Sequence, residues 1–395
     1  MDRLWNSNYI KAWSANFMLY FSFMILTPLL PLYLGEELGA SKEQIGWVLC
    51  GYSLTALLIR PFSGFLVDSF PRKRVLLICY SLFALLFGGY LLVGSLAAFC
   101  VIRTLHGAPL GATTVSNSTV AMDVLHPTRR AEGIGYYGLS NNLATAFAPT
   151  VGILIYQFTS SYQVLFALAF IIGLLGVLIN STLHIAERPL NKEARRLSLD
   201  RFFLLRGWSQ SICVTCFAFS YGVLSTYVAV YAKERLGITT GAGIFFALLS
   251  VGLFMSRLIG AKSLREGRVV TNATHGILVS LVGYLIFALI QHPVGFYLSA
   301  FIVGLGNGHM FPAMQTMFIN LAPHNQRGTA NGTLLTAWDL GVGIGIVLGG
   351  ILLEYFSYEA AFWLAWIVNV MGAVHFFLHA RIYYARHSRI GLVES

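Results

Sequence analysis

The stretch GFLVDSFPRKR, residues 64–74, is a short polar turn set between two long apolar segments. The first of these segments ends near residue 66 and the second begins near residue 75. Each has the length of about 20 mostly apolar residues that an α-helix needs to cross a bilayer. Asp68 and the basic residues Arg72, Lys73 and Arg74 therefore mark a loop between two membrane spans.

The whole chain repeats this pattern of long apolar segments and short turns. Of its 395 residues, 56% are hydrophobic and only 11% are charged, against about 25% charged in a soluble domain. We predict twelve spans, at residues 11–34, 44–66, 75–95, 98–122, 132–156, 163–184, 207–232, 241–262, 272–291, 294–321, 329–355 and 359–380. A backbone in lipid must satisfy its own hydrogen bonds, and these segments are too long for barrel strands. The predicted fold class is an all-α membrane protein with twelve transmembrane helices in two six-helix bundles.

Positive charge is distributed unevenly between the predicted loops. On this topology, 22 of the 26 Lys and Arg residues lie on one side of the membrane. The positive-inside rule makes that side cytoplasmic and places both termini there, as in a multi-pass protein of a bacterial inner membrane. The net charge of +10 is thus an indication of topology and not of nucleic-acid binding.

The two halves of the chain repeat each other at an offset of 197 residues. The offset superimposes several landmarks: Arg60 on Arg257, Gly107 on Gly304, Arg130 on Arg327 and Gly152 on Gly349. Duplicated halves are a known construction of transporters, which bind substrate near the membrane midplane. We predict an N-terminal bundle at 1–186, a cytoplasmic linker at 187–206 and a C-terminal bundle at 207–395.

The turn at residues 64–74 resembles the loop signature of the major facilitator superfamily. In that signature Gly is followed four residues later by Asp, and then by a second Gly and a basic pair. Gly64, Asp68, Arg72 and Lys73 match this pattern, whereas Pro71 replaces the second Gly. The resemblance implies a charge cluster that latches one conformation at the cytoplasmic face. The gating residues that it implies are Gly64, Asp68, Arg72, Asp123 and Arg130. An ordinary topological charge loop is the alternative.

Spans four and five carry two further motifs of the same family. Arg103 and Gly107 resemble its Arg-x-x-x-Gly pattern. A charge inside the bilayer is costly unless it faces water or a partner, so Arg103 is a candidate for contact with substrate or with a coupling carboxylate. Snorkelling to the outer interface is the alternative. In span five, Gly135, Pro149 and Gly152 resemble the helix-packing motif of exporters in this superfamily, which favours export.

Polar residues deep in other spans are candidates for binding substrate or protons. Asp339 lies about 15 Å into span eleven by helical rise, where its carboxyl could carry a proton. Histidine ordinarily changes its charge in a pH range that suits proton coupling, which makes His309 in span ten a second candidate. Asn307, Gln315 and Asn142 could bind substrate. For each of these side chains the alternative is a hydrogen bond that joins two helices.

These features together predict a secondary active transporter that exports a small organic molecule in exchange for protons by alternating access. The resemblance is to bacterial drug- and sugar-efflux-like and metallophore-exporter-like members. An importer or facilitator of a small, sugar-like solute is the alternative, and a channel or membrane enzyme is less favoured. Because nucleotide-binding and metal-binding motifs are missing from the sequence, we expect no cofactor, no metal and no enzyme activity. The expected state is a monomer in the bilayer, with protons and a small substrate as its partners.

Overall fold

A computed structural model describes residues 4–126, 130–185, 203–238, 241–265, 267–322 and 327–388. These residues form helices and short turns, with no strand within those ranges, which confirms the all-α prediction for this part of the chain. The helices are α1 (Ser7–Met24), α2 (Leu30–Glu36), α3 (Lys42–Ser69), α4 (Arg72–Leu92), α5 (Leu96–Asp123), α6 (Arg130–Thr159), α7 (Tyr162–Ser181), α8 (Trp208–Glu234), α9 (Gly241–Arg265), α10 (Val269–Leu289), α11 (Pro293–Leu321), α12 (Arg327–Tyr355), α13 (Tyr358–His375) and α14 (Arg381–His387).

Each of the twelve predicted spans coincides with one of these helices or with a run of them. Among the described residues, eight helices are long and apolar enough to cross a membrane. The first span is broken between Met24 and Leu30. Pro28 lies in this break and Pro31 in the first turn of α2, and each lacks the backbone donor that a continuous helix would need there. The last span continues from α13 through a π-helical turn, Phe376–Ala380, into α14. Gln210 of α8 donates to the Ala380 carbonyl in that turn at 3.1 Å.

The chain divides into two compact units, Met1–Ala40 with Gly51–Arg196 and Ser41–Cys50 with Leu197–Ser395. In the first unit, α1 packs on α6 and α7, and α4 packs on α5 and α7. In the second, α8 packs on α12 and α13, and α11 packs on α9 and α10. Helix α3 begins in the second unit and continues in the first. Of the predicted linker, only residues 203–206 are described, and they lead through a 3-10 turn, Leu205–Gly207, into α8.

Candidate functional site

Arg103 lies in the third turn of α5, inside the first unit, and only 2% of it is exposed. Its guanidinium carbon is 4.7 Å from the centroid of the Phe23 ring and 4.4 Å from that of the Tyr52 ring. Within the described residues no carboxylate forms an ion pair with it. The side chain is thus buried between aromatic rings and does not snorkel to a surface.

Tyr90 lies next to this guanidinium and is itself hydrogen-bonded to His106. Arg103 NH1 approaches the Tyr90 hydroxyl at 3.5 Å, and that hydroxyl lies 2.8 Å from His106 Nδ1. The imidazole is fully buried, with the rings of Phe83 and Phe87 within 5 Å of it. Sequence reasoning gave His106 no role, although its place three residues after Arg103 puts both side chains on one helix face.

Gly107 explains why the Arg-x-x-x-Gly spacing matters here. A Cβ on Gly107 would lie 1.9 Å from the Tyr52 carbonyl oxygen and 2.2 Å from Thr55 Oγ1. The missing side chain lets α3 approach α5 closely, and the Thr55 hydroxyl donates to the Thr104 carbonyl across that contact. This approach places the Tyr52 ring on the guanidinium of Arg103.

Arg72 and Asp123 form an ion pair between the start of α4 and the end of α5. Arg72 NH1 donates to Asp123 Oδ2, and the two side chains are 25% and 10% exposed. Lys73 of the same turn donates to the Leu183 carbonyl at 2.7 Å. The ion pair thus joins two of the implied gating residues, whereas their gating role stays a prediction. The side chains of the other implied gating residues lie outside those described: Gly64, Asp68 and Arg130.

The exporter-like motif of span five lies where α6 meets the break in span one. Pro149 is buried, and a Cβ on Gly152 would lie 2.1 Å from the Ile25 carbonyl oxygen. Gly152 thus permits a backbone-to-backbone approach that a larger residue would prevent. The side-chain positions of Gly135 and Asn142 lie outside those described.

His309 is buried in α11 of the second unit, with 8% of it exposed. Its Nδ1 lies 2.9 Å from the Leu305 carbonyl oxygen, four residues earlier, and so carries the hydrogen that is donated there. Asn272 of α10 donates to the His309 carbonyl at 3.0 Å, and the ring edge lies against Gly260 of α9. The imidazole thus bonds within its own helix and packs against α9, whereas the bond from α10 reaches only the backbone of His309.

Two of the predicted polar binding residues join neighbouring helices. The Ser280 hydroxyl of α10 donates to Asn307 Oδ1 at 3.0 Å. Gln315 of α11 donates to Asn331 Oδ1 of α12 at 2.9 Å. Both contacts match the interhelical alternative to substrate binding, although neither excludes a second contact of the same amide.

Asp339 lies about 18 Å along α12 from the start of that helix and is half-buried. The neighbouring Trp338 packs on the rings of Tyr221 and Phe311. A Cβ on Gly341 would lie 2.3 Å from the Thr215 carbonyl oxygen, so α8 and α12 touch closely beside the carboxyl. A carboxyl group is thereby held deep in a helix of spanning length.

The start of α3 carries an ion-pair network that the sequence did not indicate. Lys42 Nζ lies 2.8 Å from Glu234 Oε2, and the Lys42 backbone N–H donates to Glu354 at 2.8 Å. The Tyr358 hydroxyl donates to Glu234 at 2.7 Å. All of these residues belong to the second unit. Within the described part of the chain, no group of three or more His, Cys, Asp or Glu could hold a metal ion.

The sequence matches the model of the Major Facilitator Superfamily over residues 12–273 and 267–391. The quinolone resistance protein NorA of Staphylococcus aureus (strain COL) is 22% identical over 371 residues, covering 91% of this chain and 92% of that protein. The staphylopine export protein of Staphylococcus aureus (strain Mu50 / ATCC 700699) is 24% identical over 359 residues, covering 87% of this chain and 88% of that protein.

Solved transporter structures share the fold. A crystal structure of the peptide transporter POT in complex with sulfate superimposes with a TM-score of 0.77 at 16% identity, covering 97% of this chain and 96% of that one. The nucleoside transporter NupG gives a TM-score of 0.71 at 14% identity, covering 93% and 98%. These likenesses support the predicted twelve-helix architecture.

Proposed function

The chain belongs to the major facilitator superfamily, and from this premise we propose that it exports a small organic molecule in exchange for protons. Membership makes it a multi-pass membrane transporter of small molecules and not an enzyme. The finer proposal has three parts, which are the direction of transport, the coupling to protons and the cycle of alternating access. We place the chain as a monomer in a bacterial cytoplasmic membrane, with both termini on the cytoplasmic side.

Export is supported by the two relatives and by one contact in the first unit. One relative is named for quinolone resistance and the other for staphylopine export, and both align along most of this chain. In the exporter-like motif, Gly152 lets α6 meet the Ile25 backbone at the break in span one.

The observation that supports proton coupling most strongly is the half-buried carboxyl of Asp339, deep within α12. An ionisable group deep in a membrane helix is costly and marks a functional site by default. Protonation removes that charge, and so a carboxyl at this depth suits a proton carrier. His309 is the second candidate, although the hydrogen on its Nδ1 is already donated to the Leu305 carbonyl of the same helix.

The cytoplasmic latch is assigned to the ion pair of Arg72 and Asp123, together with Asp68. The pair joins α4 to α5 inside the first unit, and its two side chains are only partly exposed. Breaking it would free the ends of both helices. In the proposed cycle this pair forms in one conformation and opens in the other.

Inverted membrane vesicles test the proposal, because respiration acidifies their interior. Vesicles that contain the wild-type protein should accumulate a substrate from a panel of a quinolone, staphylopine and small sugars only while the gradient stands. Vesicles with Asp339→Asn should lose this gradient-driven accumulation. Accumulation that persists after an uncoupler collapses the gradient would contradict proton coupling, and accumulation only in right-side-out vesicles would contradict export.

A further inference from the structure

Arg103 is a permanently charged group buried in the first unit without a negative partner among the described residues. The faces of Phe23 and Tyr52 attract the guanidinium, but aromatic faces only partly replace the water that a buried cation has lost. A buried charge that lacks its counter-ion is strongly unfavourable. No described residue therefore neutralises the charge of Arg103 in this conformation.

The hydrogen bonds around Arg103 show which kind of group is missing. The guanidinium has donors only, so the Tyr90 oxygen accepts from NH1. The Tyr90 hydrogen is then donated to His106 Nδ1 at 2.8 Å. Arg103 Nε is buried and has no hydrogen-bond partner in the described part of the chain. A negatively charged acceptor would accept the hydrogen bond that Nε can donate and would neutralise the charge of the guanidinium.

We propose that Arg103 is the subsite that binds the carboxylate of an aromatic substrate, an inference that rests on the proposed export function and names the substrate class. The guanidinium pairs with the carboxylate, and the rings of Phe23 and Tyr52 contact the aromatic body of the same molecule. Tyr90 and His106 are positioning residues, because they hold NH1 in place and leave Nε to the ligand.

The site is closed in this conformation, since only 2% of Arg103 is exposed. Tyr52 covers the guanidinium from α3, whose backbone is held against Gly107. The Tyr52 side chain must therefore turn aside before a carboxylate reaches Arg103. The proposal accordingly describes an occluded subsite that opens during the transport cycle.

Equilibrium binding of 1-naphthoate and its neutral amide, 1-naphthamide, to the purified full chain tests this proposal. Wild type should bind naphthoate more tightly than naphthamide. Arg103→Gln should weaken naphthoate binding by about tenfold to a hundredfold, as expected for a lost charged hydrogen bond, and weaken naphthamide binding less, so that the ratio of the two affinities falls. Arg235→Gln is the matched control, because Arg235 also lies over a ring, Tyr358 at 5.7 Å, but is exposed.

Tyr90→Phe provides a second variant that keeps the buried ring and removes only the hydroxyl. It should lower the ratio of naphthoate to naphthamide affinity, a readout that a purely structural role would not move. Equal binding of both probes, no naphthoate binding by wild type, or an unchanged ratio in Arg103→Gln would overturn the subsite. Gradient-driven export with an unchanged ratio would overturn the subsite alone, whereas naphthoate binding through Arg103 without gradient-driven export would overturn the proposed function alone.

Discussion

Arg72 donates through NH1 to Asp123 Oδ2, and so the first residue of α4 is tied to the last residue of α5. The two side chains are 25% and 10% exposed, so the pair is partly shielded from water. Arg72 Nε also reaches the Val67 carbonyl at 3.4 Å, at the end of α3. The guanidinium thus joins the ends of three helices of the first unit.

Asp123→Asn should slow transport because it removes the charge that Arg72 holds in the proposed latch. A hydrogen bond to a charged group contributes about 1.5–3 kcal/mol, and partial exposure places the loss of stability toward the lower end. Transport rate and thermal unfolding of the purified variant measure the two effects. The exchanged pair Arg72→Asp with Asp123→Arg should recover part of the rate. Equal rates in wild type and Asp123→Asn would rule out a gating role.

The close contact between the start of α3 and α12 depends on two glycines of the second unit. A Cβ on Gly46 would lie 2.9 Å from the Ile346 carbonyl oxygen, and one on Gly350 would lie 2.5 Å from the Lys42 carbonyl oxygen. Gly46→Leu and Gly350→Leu should each separate the helices and lower the transport rate severalfold.

Gly332→Leu is the control for this contact, because a Cβ at that position of α12 meets nothing within 4 Å. Its transport rate and melting temperature should stay close to those of wild type. If Gly46→Leu and Gly332→Leu behaved alike, the contact at the start of α3 would have no part in the cycle.

Gly152→Val should destabilise the first unit, because its side chain would collide with the Ile25 carbonyl. Overpacking of this kind costs about 1–3 kcal/mol, which a lower melting temperature would register. Gly138→Val is the matched control on the same helix, since a Cβ there meets nothing within 4 Å. Similar melting temperatures for both variants would show that the α6 contact tolerates a larger residue.

His309→Gln should retain proton-coupled transport if Asp339 is the proton carrier. The variant can preserve a donor near the Leu305 carbonyl, and so its main effect should be a small loss of stability. The measurement is the pH-gradient dependence of transport beside that of Asp339→Asn. Loss of gradient dependence in His309→Gln, with Asp339→Asn unaffected, would instead identify His309 as the proton carrier.

The helices could be predicted from the sequence because apolar run length alone determines where a chain can span a membrane. All twelve predicted spans coincide with helices, whereas the break between Met24 and Leu30 was not predicted. Pro28 and Pro31 stand there, but a proline alone does not locate a break, since Pro109, Pro149 and Pro312 lie inside continuous helices. The assignment of Ser41–Cys50 to the second unit could not be predicted, because it depends on contacts with residues far along the chain.

Candidate residues could be predicted where a charged side chain interrupts an apolar segment of spanning length. Arg103 and Asp339 are charges in apolar segments, and so both were identified. His106 and Tyr90 were not, because their importance comes from one hydrogen bond between α4 and α5. Asn307 and Gln315 show the opposite case, since the sequence could not tell a binding amide from one that joins helices.

Proton movement by the purified protein in liposomes tests the central claim most directly. Liposomes with an imposed pH gradient should release protons when a transported substrate is added on the opposite side, and Asp339→Asn should abolish this release. Substrate binding to Asp339→Asn should persist, which separates coupling from recognition. Substrate movement at equal rates with and without the gradient, and no proton release from wild type, would contradict proton-coupled export.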